Sequence, residues 1–365
     1  MIDVAFAIPG DINLPTGGYA YARQMLQHLP EHGVLAHHIA LPDTFPDPAE
    51  ADLEVTRHLL AQIAPATPIL FDGLAFGALP PEIVAAIASP IIALVHHPLA
   101  LETGLAPDRQ RHLKACERVA LQHAAAVIAT SPLTARTLIR DYGVDEGRLS
   151  VAEPGTVPAL RANGTGSPFS LLSVGALIPR KGYPVLIDAL QQLGESHGAT
   201  ADWHLTIVGA TDRDTHEANL VRERILRSGL RRNITIAGEV SARELSRLYA
   251  RADLFVLPSL YEGYGMVLAE AMARGLPIIS TTGGAAAETV PDAAAIKVAP
   301  DNAKALGDAI AKVLADDERR TDMASASWAA GRRLPDWPES ARTIAAVIKT
   351  VAAGDKLGDP KSERA

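Results

Sequence analysis

Short apolar runs alternate with helix-length amphipathic stretches along the whole chain, and the alternation halts and restarts once. Parallel strands need long crossovers, usually helical, so this rhythm predicts parallel sheets covered by helices. In the first half, strands are expected at 4–8, 35–41, 69–71, 91–95, 126–129 and 149–152, with helices at 19–29, 53–63, 81–88, 107–123 and 132–142. Ser131 and Pro132 supply an N-cap and a first-turn proline for the last of these. The stretches Glu153–Pro158 and Asn163–Pro168 are then dense in Gly, Pro and polar residues, the composition of an interdomain linker. The rhythm resumes with strands at 170–174, 203–208, 234–237, 254–257, 278–281 and 295–298 and helices at 183–193, 214–228, 242–250, 266–274 and 302–314. A closing helix at 337–352 follows Pro335, and the tail 354–365 reads as disordered. The expected fold class is therefore α/β, with two doubly wound Rossmann-like domains over 1–162 and 167–334 and a closing segment 335–353. A length of 365 residues and 48% hydrophobic content suit two cores of common size.

Charge and cysteine usage exclude several classes. Residues 1–160 hold nine Lys and Arg against seventeen Asp and Glu, while the rest balance at 25 each. An acidic first half argues against a nucleic-acid partner, because phosphate contacts need clustered cations. The basic run Arg222–Arg232 reads as a solvated helix flank rather than a membrane patch. No run approaches the ~20 apolar residues of a transmembrane helix, although peripheral membrane association stays compatible with the sequence. The N-terminus lacks the basic region of a signal peptide, and the lone Cys116, read as a small core residue, fits a reducing compartment. The expected location is cytoplasmic.

The residues from Pro258 to Pro277 carry the most chemistry. An apolar strand runs into a loop holding Glu262, Gly263, Tyr264 and Gly265; a helix then opens near Met266 and Val267 and carries Glu270, eight residues after Glu262. Glycines let backbone N–H groups approach a phosphate, and a helix N-terminus adds its positive end. A carboxylate accepts paired hydroxyls of a sugar or ribose. Upstream, Gly175 to Gly182 forms a second loop with two adjacent cations, Arg180 and Lys181, suited to a diphosphate. Gly17 and Gly18 follow the first strand and open the first helix, and His96 ends the strand 91–95 beside His97. No histidine pair has metal-ligand spacing with a partner Cys, so no metal site is expected.

The stretch Glu262-Gly-Tyr-Gly…Glu270-Ala-Met-Ala-Arg-Gly-Leu-Pro277 resembles the C-terminal signature of family 4 retaining glycosyltransferases, whose two glutamates are separated by seven residues. Gly175 to Gly182 resembles the family's Gly-Arg-Leu-x-x-x-Lys-Gly, which places Lys181 on the family lysine; Ala176 stands where the family has arginine, and Arg180 is the replacement cation. The resemblance implies the GT-B arrangement, with both parallel sheets facing a central cleft and the last helix crossing back to the N-terminal domain. It implies a nucleoside-diphosphate-sugar donor as co-substrate, no other cofactor, and a glycan or lipid-linked acceptor. His96, Arg180, Lys181 and Glu262 become catalytic candidates. Gly17, Gly18, Gly209, Val240, Gly263, Tyr264, Gly265, Met266, Val267 and Glu270 become donor-binding candidates. Gly283-Gly-Ala-Ala-Ala-Glu288 resembles a further family loop, without the Asp-Gly-x-x-Gly that follows it elsewhere. Retained stereochemistry, and a place in polysaccharide, lipopolysaccharide or glycolipid synthesis, are further expectations. A sugar-nucleotide epimerase or hydrolase, and a weakly active sugar-nucleotide-binding subunit, are the alternatives. A nicotinamide dehydrogenase is disfavoured, because Gly-x-Gly-x-x-Gly is absent after the first strand.

Overall fold

The computed structural model describes residues 1–196, 202–355 and 357. The chain divides into two units, Met1–Gly155 with the segment from Pro335 onward, and Thr156–Leu334. Strands of the first unit are β1 (Ile2–Pro9), β2 (Val34–Leu41), β3 (Ile69–Asp72), β4 (Ile91–Val95), β5 (Ala126–Ala129) and β6 (Leu149–Val151). Those of the second are β7 (Phe169–Val174), β8 (Trp203–Val208), β9 (Ile234–Gly238), β10 (Leu254–Leu257), β11 (Ile278–Thr281) and β12 (Ala295–Val298). All pair in parallel, in the orders β2-β1-β3-β4-β5-β6 and β12-β11-β10-β7-β8-β9.

Burial on both faces explains why strands such as β4, β5 and β10 read as unbroken apolar runs. Successive side chains point to opposite faces. In β10, Leu254 and Val256 therefore join the cluster of Leu171, Leu205 and Ile207, while Phe255 and Leu257 join that of Leu172, Val208 and Leu268. Each such side chain contributes about 1.5–3 kcal/mol on burial. In the first unit, Phe71, Phe76, Leu79 and Leu138 form part of a comparable core.

The helix Trp337–Ala352 belongs to the first unit and is capped by Asp336, whose carboxylate accepts the Glu339 N–H at 2.9 Å. It buries Trp337, Ile344, Val347, Ile348 and Val351, and Ser340 Oγ donates to the Glu153 carbonyl at 2.6 Å. A Cβ on Gly155 would lie 2.3 Å from the Trp337 nitrogen, so the chain passes here only as glycine.

Several boundaries differ from expectation. The helix predicted at 53–63 starts at Glu50, where the Asp52 carboxylate accepts the Ala49 N–H at 3.0 Å. The helix predicted at 266–274 closes at Met272. A helix at Asp317–Gly331 was not legible, because it buries only Met323 and Ser327 and shows no apolar stripe. The linker is no loose tether where it nears β7. Ala162 N–H donates to the Arg274 carbonyl and Asn163 N–H to that of Ala250, and the Asp253 carboxylate accepts the N–H groups of Thr165, Gly166 and Ser170. Cys116 is half-exposed, its sulfur 3.6 Å from His112, and is not a core residue. The basic run is solvent-facing at Arg222, Arg227, Arg231 and Arg232. Apart from Gly354, Asp355 and Leu357, the expected disordered tail lies outside the described residues. Among the described residues, no helix is long and apolar enough to cross a membrane.

Candidate functional site

In the second sheet the strand order reverses between β7 and β10, and ligands of doubly wound sheets bind outside the carboxyl ends of strands at such a switch point. The loops leaving those two strands hold most of the residues singled out above. They are joined to each other: Leu260 N–H donates to the Arg180 carbonyl at 2.8 Å, and Arg180 Nη1 donates to the Tyr261 carbonyl at 2.9 Å.

Glu262 is 5% exposed. Its carboxylate accepts from Lys181 Nζ at 2.6 Å, Ser259 Oγ at 2.6 Å and Arg180 Nη1 at 3.4 Å. Burial alone would raise its pKa, but the charges of Lys181 and Arg180 and the hydrogen bonds from Lys181 and Ser259 outweigh it and hold the carboxyl below its usual range. The site thus gathers two cations around one anion, a net positive charge beside a strand end.

The loop Gly283–Gly284 backs this arrangement. Glu262 N–H donates to the Gly283 carbonyl and Ala285 N–H to the Glu262 carbonyl. Gly284 has φ +64°, and a Cβ there would lie 2.3 Å from the Glu262 oxygen. Gly284→Ala is therefore expected to lower the thermal midpoint and ligand binding together. Gly143→Ala, at φ +70° but in open space, should lower stability alone, by about 1 kcal/mol. Calorimetry of both variants checks this.

Gly265 caps the helix Met266–Met272, and the carbonyl of the buried Tyr264 accepts from Thr289 Oγ1 at 2.6 Å. Met266 and Val267 are half-buried and pack against the β10 core. Glu270 stands in a different setting from Glu262. Its Oε2 accepts from the Tyr249 hydroxyl at 2.8 Å, and burial, opposed by that bond and by Arg274, raises its pKa. Of the remaining candidates, Gly209 packs directly on the β7 loop: a Cβ there would lie 2.0 Å from the Gly175 oxygen, so only glycine fits. Val240, half-buried, precedes the Ser241 cap of the helix Ala242–Arg251.

In the first unit the strand order reverses between β1 and β3. Gly17 and Gly18 are the first residues of the helix Gly17–His28, capped by Thr16, whose hydroxyl accepts the Tyr19 N–H at 3.2 Å. A Cβ on Gly18 would sit 3.5 Å from the His96 ring, so the two lie side by side. His96 Nε2 is 3.7 Å from Asp72 Oδ2, and Tyr21 meets the ring edge-on at 5.3 Å. His97 instead faces Glu102 at 3.4 Å. Among the described residues no cluster of three His, Cys, Asp or Glu side chains is arranged to hold a metal ion.

Residues 161–328 match the family described as Glycosyl transferases group 1, and residues 75–159 match Glycosyltransferase Family 4. Together the two glycosyltransferase family models match most of residues 75–328. Among curated relatives, mannosylfructose-phosphate synthase of Agrobacterium fabrum is 34% identical over 172 residues, 43% of this chain and 38% of that protein. A D-inositol 3-phosphate glycosyltransferase of Xylanimonas cellulosilytica is 28% identical over 263 residues, 67% of this chain and 61% of that protein. The chain thus spans less than two thirds of either relative. Among solved structures, sucrose-phosphate synthase from Thermosynechococcus elongatus superposes with a TM-score of 0.82 at 20% identity, over 97% of this chain and 100% of that one. Anabaena HepE in complex with UDP and glucose gives 0.74 at 20% identity, over 96% and 100%. The fold is GT-B.

Sequence reasoning missed three neighbours of the candidate residues, Tyr249 and Ser259 in the second unit and Asp72 in the first. Ser259 lies in the Pro-Ser pair before the motif, and Asp72 ends a buried apolar strand, a position where a carboxylate is unusual. Tyr249 gave no signal, because it reaches Glu270 across 21 residues of sequence.

Proposed function

We propose that the chain transfers one sugar from a nucleoside-diphosphate donor to an acceptor hydroxyl, with retention of configuration and no metal. The observation that carries this reading is the opposite tuning of two carboxylates eight residues apart: Glu262 held ionised by two cations, Glu270 held by a tyrosine. In this reading Lys181 and Arg180 meet the diphosphate and stabilise the charge it gains as the sugar–phosphate bond breaks. Glu262 accepts hydroxyls of the donor sugar, and Glu270 those of the ribose. Gly263, Tyr264, Gly265, Met266 and Val267 line the donor with backbone, and Gly209 and Val240 lie toward the base. In the first unit, Gly17 and Gly18 are assigned to donor phosphate and His96 to a sugar hydroxyl. The acceptor attacks from the face the diphosphate leaves, and the departing phosphate takes its proton. No enzyme nucleophile is assigned.

Polysaccharide, lipopolysaccharide or glycolipid synthesis is the proposed setting, and the cytoplasm the proposed location. Because the names of two relatives include a phosphorylated sugar or a phosphorylated inositol, phosphorylated polyols belong in the acceptor panel beside glycans and lipid-linked sugars. Proton and phosphorus NMR of reactions with and without acceptor test the reading. Release of nucleoside diphosphate that requires acceptor, with an anomeric centre matching the donor, is the expected result. Free sugar at the same rate without acceptor would make the chain a hydrolase, and an isomerised donor would make it an epimerase.

A further inference from the structure

Tyr249 is the one fully buried side chain of the helix Ala242–Arg251, whose arginines 243, 247 and 251 face solvent. Its ring stacks on Phe255 with centroids 5.8 Å apart. The Arg274 guanidinium covers the ring, 4.5 Å from its centroid, and Nη1 of the same arginine donates to the Glu270 carbonyl at 3.0 Å. Phenylalanine would fill this space equally well. What tyrosine adds is a hydroxyl with 0% exposure, which must find an acceptor, and it finds Glu270 Oε2 at 2.8 Å. A weaker contact of 3.4 Å runs to the Val267 carbonyl. No hydrogen bond engages Glu270 Oε1 among the described residues.

We infer that Tyr249, steadied by Arg274, is the positioning residue that turns Glu270 toward a vicinal diol and thereby selects a ribonucleotide over a deoxyribonucleotide. The inference deepens the assignment of Glu270 to ribose and rests on it. Because one lone pair of Oε2 is occupied, the carboxylate plane is fixed before any ligand arrives. Its remaining lone pairs then face two adjacent hydroxyls at once, which a freely rotating glutamate would do only part of the time. The groups facing Glu270 are Tyr249 and Arg274, and Tyr183 lies behind Tyr249. The tyrosine bond lowers the Glu270 pKa against burial, so its loss moves the acid limb of binding to higher pH.

The test titrates wild type, Tyr249→Phe, Glu270→Gln and the double variant with UDP, GDP and ADP and with their 2′-deoxy counterparts, from pH 5 to 8. For the nucleotide that wild type binds, Tyr249→Phe should weaken the ribose form about ten-fold and the 2′-deoxy form much less, with the acid limb moved up. In the double variant, Tyr249→Phe should add nothing to the loss from Glu270→Gln. A Tyr249→Phe protein that loses both forms equally, with an unmoved acid limb, overturns the inference and leaves Tyr249 a packing residue. If Glu270→Gln weakens the ribose form but Tyr249→Phe does not, only this inference falls. If Glu270→Gln itself leaves ribose and deoxyribose binding unchanged, the ribose assignment falls and this inference with it.

Discussion

Replacing Lys181 with methionine is expected to lower the transfer rate about 10²–10³-fold, with a much smaller change in donor affinity. Lys181 Nζ sits 2.6 Å from Glu262 and shares that carboxylate with Arg180, so the ligand-free site is already charge-paired. The two cations exceed that one anion by a single positive charge, which an arriving diphosphate meets, and more negative charge develops as the leaving group departs. An interaction that strengthens along the reaction coordinate acts on kcat, whereas one equally strong in the ground state acts on KM alone. Stability gives a second readout. Removing one partner of a buried ion pair costs about 3–5 kcal/mol in general, here reduced by the remaining bonds from Arg180 and Ser259. Lys181→Met/Glu262→Gln should therefore recover the thermal midpoint of the single variant without recovering its rate. Equal losses in kcat/KM and in donor affinity for Lys181→Met would remove the transition-state role.

Glu117→Gln is expected to stabilise the first unit at alkaline pH and to change little in acid. Glu117 lies on the helix Pro107–His123, is 1% exposed, and accepts the Leu99 N–H at 3.0 Å. Burial raises its pKa to about 8, against the opposing bonds from Leu99 and Tyr142. Between the ordinary glutamate range and that value, the folded chain keeps a proton that the unfolded chain has released. Stability therefore falls as pH rises through this window, by about 5 kcal/mol in total. Glutamine copies the protonated acid and does not titrate. Its thermal midpoint should exceed that of wild type by several degrees at pH 8.5, with the gap shrinking to about a degree or two at pH 5. Equal shifts at both pH values would show that the carboxyl is not held neutral.

The fold was legible because its central strands are buried on both faces, so β4 and β10 announce themselves as Ile91–Val95 and Leu254–Leu257 without any need for context. Glycine punctuation and the Ser131-Pro132 cap marked several boundaries as well. The helix Asp317–Gly331 escaped because it buries only Met323 and Ser327, which carry no hydrophobic period. In the site, residues contiguous in sequence were legible, namely Arg180 with Lys181 and the stretch from Glu262 to Glu270. The partners that set their chemistry were not: Tyr249 and Asp72 reach Glu270 and His96 only once the sheets are assembled. Likewise, the two glutamates look equivalent in sequence, and only packing separates an ionised Glu262 from a Glu270 pushed toward protonation.

Donor binding tests the central claim most directly. Thermal midpoints of wild type and Glu270→Ala would be recorded with UDP-, GDP-, ADP- and dTDP-sugars. The account predicts that one of the ribonucleotides raises the midpoint of the wild type and leaves the variant unmoved, with dTDP-sugars inert. Absence of any shift in a folded wild-type protein, or an equal shift in Glu270→Ala, would contradict the assignment of this site to a nucleoside-diphosphate sugar.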